Sequence, residues 1–274
     1  MSDPSGPFLT FPADPAEAGK GPRIVFLHIM KTAGSSVRTR LEELAAGAPV
    51  WRVDTLGLPT NVPPESLAQF RIIMGHMRLR DAHHVPPPRR IFTVLREPRE
   101  RLLSLYHFLA RHRPEVTQGE VFERARLARA MPVEDFLADQ RPLIRRELQN
   151  MMTRVLAGGH VPVGPNAYRH PDDPESRTIS AAQLLHLALG NILALDFVAF
   201  VDRLEEDRPR LMAALGLPDP GPFPRENTRE TVNDMLEERP DPIMTPAVER
   251  LLNRLTDLDR ALYRLARLHW APGR

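Results

Sequence analysis

Cysteine is absent from this 274-residue chain. That excludes disulfide staples, thiolate metal sites and a thiol nucleophile. Lysine is nearly absent: Lys20 and Lys31 stand alone, so almost all of the 37 basic residues are arginine. Net charge is scarce too, +2 at pH 7 from 37 basic and 35 acidic residues. Such a balance does not suit a protein whose main work is neutralising a nucleic-acid backbone. Long apolar runs are also lacking. The best, LLHLALGNILALDFVAFV from Leu184, is interrupted by His186, Asn191 and Asp196, so no transmembrane segment is expected. The opening MSDPSGPFLTFPADP has neither the basic start nor the apolar stretch of a signal peptide. The expectation is a cytoplasmic protein.

What is present is a globular balance of 42% hydrophobic and 26% charged residues. Residues 1–22, rich in Pro and Gly, read as a flexible arm, and residues 23–274 as a single domain. Short apolar runs at Ile24–Met30, Arg71–Met77, Arg90–Arg96 and Leu195–Leu204 predict strands. Helical spacing follows the first at Val37–Ala46 and the third from Pro98, a proline tolerated in a first turn. Strands alternating with helices predict an α/β domain with a central, mainly parallel sheet flanked by helices. Further helices are expected at Pro132–Leu137 and Arg145–Leu156. One more should carry the stripe Val248, Leu251, Leu252, Leu255, Leu258, Leu262 and Leu265. Gly158–Thr178, dense in Gly, Pro and Asp, reads as a long loop.

Two segments point to anions. His28-Ile29-Met30-Lys31-Thr32-Ala33-Gly34-Ser35-Ser36 lies between a strand and a helix. It offers backbone N–H groups at a helix N-terminus, hydroxyls and one compact ammonium. The same residues also make a plain polar turn with a capping serine and a surface lysine; the segment alone leaves both readings open. It is not the standard GxxxxGK[ST] loop, because Lys31 precedes Gly34. The second segment is Arg96-Glu97-Pro98-Arg99-Glu100-Arg101-Leu102-Leu103-Ser104. Arg96 ends a predicted parallel strand, the usual ligand edge of an open sheet, and Ser104 lies two turns into the helix. Together they can hold one phosphate. Arg99 and Arg101 read as a solvated helix face paired with Glu97 and Glu100. A basic residue at this strand end, where a P-loop enzyme wants an acid for Mg²⁺, points away from metal-dependent nucleotide hydrolysis. A P-loop kinase using ATP and Mg²⁺, and a non-catalytic nucleotide-binding scaffold, are the alternatives to weigh.

Taken together, HIMKTAGSSV and FTVLREPRERLLSLY resemble the carbohydrate sulfotransferases that use 3′-phosphoadenosine-5′-phosphosulfate (PAPS). The likeness is greatest to the heparan and dermatan sulfate 2-O-sulfotransferase branch. The resemblance implies a P-loop-like α/β fold and PAPS as co-substrate without a metal. Lys31, Thr32, Ala33, Gly34, Ser35 and Ser36 would grip the 5′-phosphosulfate, and Arg96 and Ser104 the 3′-phosphate. GHM at Gly75–Met77 falls where the family carries its catalytic base, which implies His76. QNMMTRVLAGG (Gln149–Gly159) and DFVAFVDRLEED (Asp196–Asp207) resemble further family segments. RENTRET (Arg225–Thr231) resembles the loop that closes over the nucleotide, with Arg225 and Thr228 as its contacts. The family's animal members carry a membrane anchor and cysteines, which this sequence lacks, and Gly159–Thr178 does not resemble theirs.

Sulfuryl transfer in line is mostly positioning and charge stabilisation. Lys31 would neutralise charge on the leaving phosphate oxygen, and His76 would take the acceptor's proton. The implied acceptor is a hydroxyl compound, a saccharide. Arg78, Arg80 and Arg169, with Arg154, are candidates to pair with an acidic group on it. His28, inside the first strand, reads as a core or supporting group.

Overall fold

Five parallel strands form the centre of the computed structural model, which describes residues 21–45, 47–53, 62–119, 122–164, 166–170, 177–226 and 232–271. They are β1 (Arg23–Leu27), β2 (Val50–Val53), β3 (Ile72–Gly75), β4 (Arg89–Leu95) and β8 (Phe197–Phe200). Their order across the sheet is β2-β3-β1-β4-β8. The α/β architecture expected from the sequence is therefore present.

Alternate side chains of each strand feed opposite cores, as the two-residue period requires. Ile24, Phe26, Ile72, Met74, Phe92, Val94, Phe197 and Ala199 pack against the helices Gly34–Ala45 and Leu204–Leu215. Val25, Leu27, Ile73, Ile91, Leu95, Val198 and Phe200 pack against Met151–Leu156, Ala181–Leu193 and Asp257–Trp270. Burial on both faces explains why these strands read as unbroken apolar runs. A third cluster joins the helix Pro98–Ala110 to Glu123–Ala130, Val133–Ala138, Pro142–Leu148 and Pro246–Leu255. No helix among the described residues is long and apolar enough to cross a membrane.

Four expectations need correction. The helix expected over Arg145–Leu156 is two, Pro142–Leu148 and Met151–Leu156. Asn150 between them is left-handed at φ 47°, a conformation asparagine tolerates better than most residues. The C-terminal stripe likewise breaks at Thr256, and Leu265 faces outward at 45% exposure. Asn150 fills that break. Its N–H donates to the Leu255 carbonyl (2.8 Å), and its Oδ1 accepts from the N–H groups of Leu258 (3.0 Å) and Asp259 (3.3 Å).

The fourth expected strand ends at Phe200, where a tight turn, Val201–Arg203, leads into the next helix. The expected loop over Gly158–Thr178 contains β5 (Val161–Gly164) and β6 (Ala167–Arg169), which with β7 (Ile179–Ser180) form an antiparallel sheet. Prolines and Gly164 hid its alternation. The expected arm falls outside the described residues except for Gly21 and Pro22, as does Thr228.

The chain leaves β1 toward β2 on one side and leaves β4 toward β8 on the other. The crevice beyond the carboxyl ends of β1 and β4 is thus the topological switch point, where open α/β sheets bind ligands.

Candidate active site

Four strand ends converge on that crevice. Register sets the first pair: Leu27 lies opposite Gly75 in the parallel β1–β3 ladder, so His28 and His76 emerge side by side. Their rings stack with centroids 4.3 Å apart and 30° between planes, and Phe26 and Phe92 extend the stack into the core. His76 Nδ1 lies 3.1 Å from the His28 carbonyl oxygen. A carbonyl only accepts, so this bond places a proton on Nδ1, and in the neutral ring the lone pair is then on Nε2. Burial, then the neighbouring His76, Arg38 and Lys31, hold the His28 imidazole well below its ordinary pKa, and it stays neutral.

Two glycines make this approach possible. At Gly75 (φ 140°) a Cβ would lie 2.1 Å from the Val53 carbonyl oxygen. At Gly34 a Cβ would lie 1.7 Å from His28 Nε2. The turn from β1 into the helix that starts at Gly34 is strained. Lys31 (φ 68°) and Ala33 (φ 61°) are both left-handed, uncommon for residues with a Cβ. Thr32, fully buried, staples the turn by donating from Oγ1 to the Ile29 carbonyl at 2.7 Å. Strain of this kind turns backbone N–H groups toward one point, as an anion cradle needs.

The Lys31 ammonium lies 3.8 Å from the centroid of the Phe108 ring. Phe108 sits one helical turn beyond Ser104 on the helix Pro98–Ala110, so the two share a face. Burial, then the charges of Arg96 and Arg111, lower the Lys31 pKa from 10.5 to about 8. At the end of β4, Glu97 caps the helix by accepting from the Glu100 N–H at 2.8 Å, which places Arg96 at the mouth of the site. The Arg96 Nε atom is buried, has no hydrogen-bond acceptor and lies 3.5 Å from the Glu100 carboxylate. A buried guanidinium N–H without an acceptor, beside a cation-crowded lysine, suits an anionic ligand.

One cleft of about 590 Å³ is lined by Lys31, Ala33, Gly34, Ser35, Ser36, His76, Arg96, Ser104 and Arg225. Both anion-binding segments, the histidine and the late loop therefore face a single space. Thr32 lies behind the turn and supports it. The Arg225 segment is tied down beside the cleft. Its neighbour Glu226 donates its N–H to Ser36 Oγ (3.4 Å) and accepts from Thr39 Oγ1 (2.6 Å). Sequence reasoning missed Phe108 and Arg203, both in the lining. Phe108 had a usable signal in its four-residue step from Ser104.

The arginines proposed for the acceptor lie elsewhere, and none of them lines the cleft. Arg78 is buried and grips Asp81 through Nε (2.9 Å) and Nη2 (3.2 Å). Arg80 contacts His170, and Arg169 reaches Thr178. Arg154 is buried and donates to the carbonyls of Gln149 and His160. Arg101 is not solvated, as its charged surroundings suggested; it is fully buried and donates to the Glu147 carbonyl at 3.1 Å.

The sequence pattern of the sulfotransferase family matches residues 20–268. The chain belongs to that family. No curated protein sequence matches this sulfotransferase. Among solved structures it is similar to the mouse sulfotransferase SULT7A1 complexed with PAP (13% identity, 91% of this chain and 92% of that one covered, TM-score 0.38).

Proposed function

We propose that this sulfotransferase moves a sulfuryl group from PAPS to a hydroxyl of a carbohydrate acceptor. The observation that carries the reading is the convergence of Lys31, Arg96, Ser104 and His76 on one cleft. The residues fit a donor with an anionic group at each end. The strained turn and Lys31 suit the 5′-phosphosulfate, while Arg96, whose Nε makes no hydrogen bond, and Ser104 suit the 3′-phosphate. When bound, PAPS supplies a sulfur already attached to a phosphate leaving group.

The chain's own residues divide the work. His76 Nε2, with its lone pair fixed by the His28 carbonyl, takes the acceptor's hydroxyl proton as the new oxygen–sulfur bond forms. Lys31 donates to the bridging oxygen whose bond to sulfur breaks and stabilises its charge. The neutral His28 ring beneath His76 adds no positive charge as His76 takes up the proton.

A thermal-shift series with 3′,5′-adenosine bisphosphate (PAP), 5′-AMP, and ATP with Mg²⁺ tests the donor. A ligand that binds only the native state raises the melting point by mass action. PAP should give the largest shift. A shift confined to ATP with Mg²⁺ would overturn the reading in favour of a kinase. PAP binding without sulfate transfer to any hydroxyl acceptor would make the protein a nucleotide-binding scaffold.

A further inference from the structure

We infer that the acceptor docks in a second, smaller cavity beyond His76, where Arg38 and Arg52 select an acceptor bearing an acid group. This rests on the sulfotransferase reading above and names the acceptor side of the same site. The cavity measures about 220 Å³ and shares His28, Ser35 and His76 with the larger cleft. Lys31, Arg96 and Ser104 line only the larger one. In-line transfer places the entering oxygen opposite the leaving oxygen. With Lys31 on the leaving side, the space across His76 is where a hydroxyl can meet both sulfur and base.

Size and charge narrow what enters. The volume lies below the range of drug-sized ligand sites, so it takes a single small ring or end group rather than a nucleotide. Gly75 forms part of its wall, against Val53, and any side chain at position 75 would strike the Val53 carbonyl. Arg38, on the helix after the donor turn, and Arg52, on edge strand β2, reach the cavity from two elements. Their side chains are half exposed, and one carboxylate, Glu42, serves both: 2.7 Å from Arg52 Nε and 3.9 Å from Arg38 Nε. Two guanidinium groups against one carboxylate leave a positive charge beside the base. Guanidinium forks match carboxylates and sulfates in geometry. Arg78, Arg80 and Arg169 line neither cavity, Arg96, Arg203 and Arg225 line the larger one, and Arg38 and Arg52 are the arginines of the smaller one.

The test compares 4-nitrophenyl β-D-glucuronide with 4-nitrophenyl β-D-glucoside, a pair differing at the carboxylate. Transfer from PAPS is measured for the wild type, Arg38→Ala, Arg52→Ala and the double variant, with binding to the PAP-saturated protein titrated in parallel. The wild type should favour the glucuronide by about tenfold or more, the size of one hydrogen bond to a charged group. The double variant should lose that preference through KM, while its melting-point shift with PAP stays unchanged. Equal handling of both glycosides by the wild type overturns the inference, as does failure of the glucuronide to bind. So does a preference that survives in the double variant, or PAP binding lost with Arg38 and Arg52, which would assign the cavity to the donor. Absence of any PAP shift in the wild type is seen before a glycoside is added; it removes the sulfotransferase reading and this inference with it.

Discussion

Lys31 carries the most quantitative prediction. Burial, reinforced by Arg96 and Arg111, lowers its pKa from 10.5 to about 8. That depression is worth roughly 3 kcal/mol against the charged form in the empty site. The sign runs in opposite directions for folding and for binding. Between pH 8 and 10.5 the folded chain holds fewer protons at Lys31 than the unfolded chain, so this residue makes folding more favourable as pH rises. A bound anion favours the ammonium and draws a proton back. PAP binding at pH 9 should therefore take up about 0.9 proton at Lys31, against about 0.1 at pH 7. Calorimetric titrations at pH 9, in two buffers of different ionisation enthalpy, read that number directly. Affinity should fall about tenfold per pH unit above pH 8. Lys31→Ala should bind more weakly, with no such uptake at pH 9. Equal uptake by Lys31→Ala and wild type at pH 9 would refute the placement of the ammonium against the donor.

Three further outcomes follow from the geometry. His76→Ala should retain the melting-point shift with PAP yet lose about 10²–10⁴-fold in turnover; near-normal turnover removes His76 from the chemistry. Arg96→Ala should weaken PAP binding and leave 5′-AMP binding intact, because only PAP carries a 3′-phosphate; equal losses for the two would show that Arg96 does not read that group. Gly34→Ala drives a Cβ into the His28 ring, so it should lower the melting point and abolish PAP binding. Adding His28→Ala should restore stability by about 1 kcal/mol or more beyond additivity, measured by denaturant unfolding; strict additivity would place the clash elsewhere.

How much of this was legible in the sequence depended on how local its causes are. The strands β1, β3, β4 and β8 were visible because burial on both faces makes them continuous apolar runs. β2 was not: Val50-Trp51-Arg52-Val53 is a short edge strand, and Arg52 breaks the pattern. The donor turn was legible because Lys31 through Ser36 are contiguous, and Arg96 because it ends a strand. His76 needed the family likeness, since only the β1–β3 register shows that it faces His28. Arg101 was misread for a physical reason: its neighbours are charged, but what compensates its own charge is Asp259 and Glu147, both far along the chain. The Arg38–Arg52 cavity was illegible because it joins a helix to an edge strand that the sequence did not reveal.

Gln149–Gly159 shows how a family-like segment can serve a site from outside it. Asn150 caps the helix Asp257–Trp270 through its Oδ1. Asp259 on that helix answers by accepting from the Thr153 N–H (2.8 Å), Thr153 Oγ1 (2.7 Å) and the Met152 N–H (3.3 Å). The two helix starts thus cap each other. Asp259 is fully buried, and its charge opposes the burial penalty on the Arg101 guanidinium, which also touches Met151 Sδ at 3.6 Å. Arg101 belongs to the helix that presents Ser104 and Phe108, so the capped pair anchors the donor-side wall. Asp259→Ala removes an acceptor from three donors and leaves Arg101 with less compensation for a buried charge. Leaving a buried donor without its acceptor costs about 1–3 kcal/mol, and a loss of at least that size is expected in denaturant unfolding. Asp259→Asn keeps one carbonyl oxygen for the donors but not the charge, so it should fall between wild type and alanine. If Asp259→Ala combined with Arg101→Met is no more stable than Asp259→Ala alone, then the charge of Arg101 is not what Asp259 balances. The capping hydrogen bonds would then account for the whole loss.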